Sequence, residues 1–213
     1  MLRLSNIDKL WFYGGSLLFA FCCIIGLWYN HPEWLLIPLA LAGGVYLLQN
    51  PVLLLYVLVA SIPWSIEYSV TESLSTDLPD EPLMVLLSLA AIMLLVYKRK
   101  TLVADRLNSI LLLIVLLQLV WIMVSVLFST NLVVSIKYFL AKGWYLGAFV
   151  LAPVVLIEHK EQLKRLAIVF LISLTAVIVI SLGRHAEMGF TFASVNDSLY
   201  PFYRNHVNYS ALL

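Results

Sequence analysis

The chain has 213 residues, of which 62% are hydrophobic and 12% charged, with 13 Lys and Arg against 12 Asp and Glu. A soluble domain carries roughly 25% charged residues, so there is too little polar surface here to coat a water-soluble globule. A net charge of +1 likewise excludes the clustered excess of cations that nucleic acid requires. The mean hydropathy of +0.97 instead describes an all-α fold, a polytopic transmembrane helical bundle whose backbone groups are satisfied inside each helix.

The first apolar run, 10–28, follows Arg3 and Lys9, so by the positive-inside rule it spans with its N-terminus in the cytoplasm. No Ala-x-Ala-like exit follows it, and Phe21 stands where a lipoprotein cleavage site has a small residue, so it is a retained helix rather than a signal peptide. Cys22 and Cys23, the only cysteines, are adjacent in this run, point in different directions and read as small apolar fillers rather than a disulfide. After an outer turn at Asn30, His31, Pro32 and Glu33, the run 34–48 returns; Gln49 and Asn50 before Pro51 close an inner turn, and 52–64 leads out again. These two runs are short for about 30 Å of hydrocarbon at about 1.5 Å per residue, and together they read as a helical hairpin.

Residues 66–81 are expected as an outer loop, carrying Glu67, Glu72, Asp77, Asp80 and Glu81 and no Lys or Arg. No spacing among these acids resembles a metal loop, and no metal or cofactor is expected. The run 83–97 spans inward to a stop signal at Lys98, Arg99, Lys100 and Arg106; 109–128 spans outward; 133–157 spans inward to Lys160, Lys164 and Arg165; and 166–182 spans outward. That makes about seven spans. With these termini, Arg3, Lys9, Lys98, Arg99, Lys100, Arg106, Lys160, Lys164 and Arg165 are cytoplasmic, leaving Lys137, Lys142, Arg184 and Arg204 on the outer side. A second outer loop over 183–205 leads to Val207, Tyr209, Ala211, Leu212 and Leu213, read as the start of an eighth helix, so 1–213 is expected to be a single transmembrane domain and the N-terminal part of a longer protein. Trp11, Trp28, Trp34, Trp64 and Tyr97 fall near predicted helix ends, as an interfacial aromatic belt requires, and Gln118 reads as a helix-to-helix hydrogen bond.

A cation near the outer leaflet is costly unless it meets an anion or water. Lys137 and Lys142 are expected at the outer end of the sixth helix, about 140° apart around its axis; one can face a cavity while the other snorkels, or both can snorkel or pair with the acidic loop. Arg184 and His185 at the exit of the seventh helix, and Arg204, Asn205 and His206 at the start of the eighth, form a second group. The planar fork of arginine suits phosphate oxygens and histidine exchanges a proton near neutral pH, a combination suited to a lipid-linked phosphate or diphosphate. Interfacial arginines on lipid headgroups are the plainer alternative.

The chain resembles the O-antigen ligase and polymerase superfamily of bacterial membrane glycan-transferring proteins. The likeness rests on the early short hairpin, the exit Ser61-Ile62-Pro63-Trp64 into an acidic outer loop, Ser135-Ile136-Lys137-Tyr138 with Lys142 opening a helix, and the stretch Phe202-Tyr203-Arg204-Asn205-His206-Val207-Asn208-Tyr209-Ser210-Ala211-Leu212-Leu213. The resemblance implies a fold of roughly ten to twelve spans in the bacterial inner membrane, with its active face periplasmic. It also implies transfer of a glycan from an undecaprenyl-diphosphate carrier to an acceptor sugar, on lipid A core or a growing polysaccharide, without a metal or cofactor. The implied partners are that lipid-linked glycan, the acceptor glycan or lipid A core, and membrane lipids. Arg204 is the first position implied to hold the diphosphate, with Lys137, Lys142 and Arg184 behind it; His206, His185 and Asn205 are accessory. The family's catalytic histidine lies in a later loop, so the base is expected beyond Leu213, and residues 1–213 alone are expected to be inactive. A secondary transporter, which places ionisable groups and helix breaks near the midplane, and a non-catalytic scaffold in envelope assembly are the competing readings.

Overall fold

The computed structural model of the protein describes residues 6–71, 74–97, 109–203 and 210. Arg3, Glu72, Lys98, Arg99, Lys100, Arg106, Arg204, Asn205 and His206 lie outside the described residues, as does the expected start of an eighth helix at Val207, Tyr209, Ala211, Leu212 and Leu213. What is described is mostly helical and divides into two compact units, Met1–Asn50 and Pro51–Leu213.

In the first unit, α1 (Asn6–Tyr29) and α2 (Leu36–Gln49) are joined through a 3-10 turn at Pro32–Leu35. The chain reverses at Asn30, which takes a left-handed φ of 54°, and the His31 amide donates to the Gly26 carbonyl at 2.9 Å. Cys22 is buried and Cys23 half-buried, both as free thiols.

The second unit opens with α3 (Pro51–Ser61), continued by a 3-10 turn Ile62–Trp64. Residues 66–81 then depart from the expected loop. Ile66–Thr71 (β1) and Leu74–Leu78 (β2) pair antiparallel in a two-stranded hairpin, irregular between Ser69 and Thr71. The all-α expectation is corrected to that extent. The cause is legible in the alternation Ile66-Glu67-Tyr68-Ser69-Val70-Thr71, rich in aromatic and β-branched residues. Asp80 and Glu81 belong to the first turn of α4 (Asp80–Tyr97), where acids suit the helix N-terminus.

Helix α5 (Ile110–Leu127) starts on Ser109, whose hydroxyl accepts from the Leu112 amide at 3.2 Å. Gln118 is exposed on α5, not paired to another helix among the described residues. Helix α6 (Leu132–Leu156) is capped by Asn131, whose side chain accepts from the Val134 amide, and loosens into a π turn at Gly147–Leu151. Helix α7 (Lys160–Glu187) begins and ends beyond its apolar run; at its start Gln162 closes the first turn by accepting from the amides of Glu158 and His159 at 2.8 and 3.1 Å. Gly183, Arg184 and His185 are therefore helical, not part of the outer loop. The segment after α7 returns through a short helix α8 (Val195–Leu199).

Among the described residues, three helices are long and apolar enough to cross a membrane: α4, α6 and α7. Four shorter apolar helices accompany them, over Tyr13–Tyr29, Leu36–Gln49, Pro51–Trp64 and Leu112–Leu127. The interior of the second unit is built from Leu54 and Leu58 of α3, Met84 and Leu87 of α4, and Val177 of α7, all fully buried. The register of the helices follows from a few polar contacts. Tyr56 Oη donates to the Gln162 carbonyl at 3.2 Å, and Trp64 Nε1 donates to Ser173 Oγ at 2.9 Å, so α3 and the first half of α7 run parallel. Lys137 meets β2, which leads into α4, while Ser88 meets Trp144 one turn before the π segment, so α4 and α6 also run parallel.

Candidate functional site

The candidate cations occupy three different environments. Lys137, half-buried on α6, donates from Nζ to the Ser75 carbonyl of β2 at 3.2 Å, which pins the hairpin to the helix. Lys142 holds its Nζ 5.5 Å from the centre of the Tyr138 ring, one turn back on the same helix, within cation–π range. Among the described residues it meets no carboxylate at ion-pair distance. Lys142 lies ten residues into α6, about 15 Å along its axis, deeper than its expected place at the helix end.

Arg184 and His185 serve another purpose. The Arg184 guanidinium donates to the Tyr200 carbonyl, His185 Nε2 lies 3.1 Å from the Thr191 carbonyl, and the His185 ring meets Phe190 edge-on at 5.1 Å. Both therefore tie the returning segment to the end of α7. That segment seats Leu199 and Tyr203 against Val177 and brings Phe202 edge-on to Trp64 at 5.6 Å. The Phe202-Tyr203 part of the expected motif is thus a packing element, while Arg204, Asn205 and His206 fall outside the described residues.

Glu67, Asp77, Asp80 and Glu81 are also built in, a feature that the reading of 66–81 as an outer loop missed. Asp80 is only 7% exposed, and its Oδ1 lies 2.8 Å from the Ser61 hydroxyl, which is also 2.8 Å from the Leu58 carbonyl. Glu81 Oε2 accepts from Thr76 Oγ1 at 2.6 Å. Glu67 and Asp77 are cross-strand partners in the hairpin. The Ser61-Ile62-Pro63-Trp64 exit is held at both ends: Ser61 on Asp80, and Trp64 on Ser173, whose hydroxyl in turn donates to the Ala60 carbonyl. Among the described residues no group of three or more His, Cys, Asp or Glu could hold a metal ion.

Between α4, α5 and α6 lies an open apolar cavity of about 600 Å³, which Lys142 does not line. Its wall on α6 runs from Phe139 to Leu151, on α4 from Val85 to Leu95, and on α5 from Leu112 to Leu119. At about 100° per residue, Lys142 lies about 40° beyond Leu146 at one edge of the lining face of α6, and Lys137 about 20° beyond Trp144 at the other. No protein-family model, curated protein or solved structure matches the chain.

Proposed function

We propose that the protein spans the bacterial inner membrane seven times through α1 to α7, with its N-terminus cytoplasmic and the hairpin on the periplasmic side. In this reading it serves the transfer of a glycan from an undecaprenyl-diphosphate carrier to an acceptor sugar on lipid A core or a growing polysaccharide. The acceptor hydroxyl oxygen bonds to the anomeric carbon and its proton passes to water, the bond from that carbon to the diphosphate oxygen breaks, and the diphosphate leaves with the electron pair. Fixed positive charge where that negative charge develops lowers the barrier by about 3 kcal/mol per well-placed donor.

The observation that carries the reading is Lys142. A lysine within a membrane-spanning helix marks a functional site by default, and this one has an aromatic face and no carboxylate among the described residues. Lys137 is second, its charge shared with a backbone carbonyl. Further support comes from the parallel pairs α3 with α7 and α4 with α6, the order that an alternating seven-span path requires.

The test is the level of lipid-linked glycan in cells carrying Lys142→Gln. At equal protein in the membrane fraction, Lys142→Gln is expected to slow glycan consumption at least tenfold, with Lys142→Arg close to the parent. Full consumption by Lys142→Gln overturns the assignment, and uptake of solute without glycan transfer turns the reading toward transport.

A further inference from the structure

Helix α5 leans on one neighbour. Leu112, Val115, Leu119, Ile122 and Val126, at alternating steps of three and four residues, are half-buried and form the stripe that packs toward α6. A second series at the same spacing, Ile114, Gln118, Trp121 and Ser125, is exposed and lies about 110° around the helix from the first. The Ser125 hydroxyl is already satisfied, donating to the Trp121 carbonyl at 2.9 Å. Gln118 is not: it stands at the middle of the 18-residue helix and meets no hydrogen-bond partner among the described residues. Its side chain carries two N–H donors and a carbonyl acceptor. Where α5 crosses the membrane, that amide lies near the hydrocarbon midplane, at which lipid offers neither donor nor acceptor. An unmet polar group there is costly, and a hydrogen bond to another helix removes the cost.

We propose that this face of α5 is the contact through which two copies of the protein associate in the membrane, closed by a reciprocal hydrogen bond between their Gln118 amides. The amide itself selects a second copy. It is self-complementary, the carbonyl of each accepting from the NH2 of the other, as a contact about a two-fold axis requires. Insertion gives every copy the same orientation, so a second copy brings its own Gln118 to the same depth on a parallel α5. The alternating steps of three and four along Ile114, Gln118, Trp121 and Ser125 are those of a helix pair, and a single amide in such a seam fixes register and partner number. The proposal rests on the seven-span reading, through the crossing of α5, and not on glycan transfer.

The test is disulfide cross-linking of the full chain in native membranes, in a parent carrying Cys22→Ala and Cys23→Ala. Ile114→Cys and Ser125→Cys are expected to give at least about fivefold more oxidised dimer than Val120→Cys, which is exposed about 130° away around α5. Gln118→Leu is expected to bring the Ser125→Cys dimer down to the Val120→Cys level, and Gln118→Asn, which keeps the amide, to retain most of it. Unfolding in detergent is expected to be unchanged by Gln118→Leu, since the side chain makes no hydrogen bond within one copy among the described residues. Equal cross-linking at all three positions, or a dimer undiminished by Gln118→Leu, overturns the proposal. Absence of dimer from every position also overturns it and assigns the face to a different helix. A membrane-impermeant maleimide added to spheroplasts separates this outcome from a failure of the spanning reading: it is expected to label Thr130→Cys, after α5, and not Asn108→Cys, before it. Labelling of both overturns the crossing of α5 and the proposal with it. Labelling as expected without the dimer overturns the proposal alone.

Discussion

Helix α6 packs in two opposite ways within a single turn. At Gly147 it presses against α4 so closely that a Cβ there would stand 2.6 Å from the Ser88 Cβ, and Leu87, Ala91, Ala148 and Ala152 on the two helices are fully buried. At Gly143, four residues earlier, it faces open space in the apolar cavity. Hydrophobicity does not separate these places, since lipid tails are as apolar as leucine and give no burial drive between helices. What separates them is contact: dispersion at close approach, and a hydroxyl that reaches the Trp144 carbonyl where the helix loosens into its π turn. Glycine on this helix therefore has two roles, to admit a neighbouring helix at Gly147 and to leave a space at Gly143.

The largest effect is expected from removing the first role. Gly147→Val drives a branched side chain into the Ser88 backbone region and is expected to cost about 3 kcal/mol, the upper part of the range for overpacking. It would be read as earlier unfolding in mixed detergent, with loss of the sharp transition. The smaller Gly147→Ala tests the cause. Ser88→Gly removes both of the atoms closest to the new Cβ and leaves the Ser88 Cα at 3.5 Å, so the double substitution is expected to regain most of what Gly147→Ala loses. If Ser88→Gly and Gly147→Ala are simply additive, the crossing is not what makes glycine necessary.

A smaller effect is expected where helices meet through a hydrogen bond rather than a bare approach. Ser173 is buried on α7 and joins Trp64 Nε1 at 2.9 Å to the Ala60 carbonyl. Ser173→Ala strands the indole N–H and is expected to cost about 1 kcal/mol, in line with hydrogen bonds inside membrane bundles. The matching readout is Trp64 emission, which shifts if the edge contact with Phe202 loosens. A cost well above that of Gly147→Ala would make the polar latch, not the close crossing, the organising contact of the second unit.

Apolar runs made the helices legible from sequence, because an uninterrupted stretch of Leu, Val and Ile can satisfy its backbone in hydrocarbon only as helix. The runs gave no warning of polar turns at helix ends: α7 extends through Lys160, Glu161 and Gln162 at one end and Arg184 and His185 at the other. The hairpin was legible in its alternation from Ile66 to Thr71 but was obscured by its acids, which suggested a solvated loop. The partners of Lys137 and Arg184 were not legible, since each reaches a backbone carbonyl, on Ser75 and Tyr200, that any residue could supply. The cavity was not legible either, because it depends on where three helices fail to touch.

The smallest expected effect bears most directly on that cavity. A methyl group at Gly143 meets no atom within 4 Å, and Gly143 sits in a regular helical turn before the π segment, so Gly143→Ala has no steric cost and gains helix propensity of about 1 kcal/mol at most. Unfolding in mixed detergent is expected to shift slightly upward, opposite in sign to Gly147→Ala four residues away on the same helix. The sign carries the argument, because both changes add the same methyl group, at Gly143 beside open space and at Gly147, the first residue of the π segment, against Ser88. A loss of stability at Gly143 would mean that another helix or chain occupies the space, and the two levels of this face of α6 would then be alike.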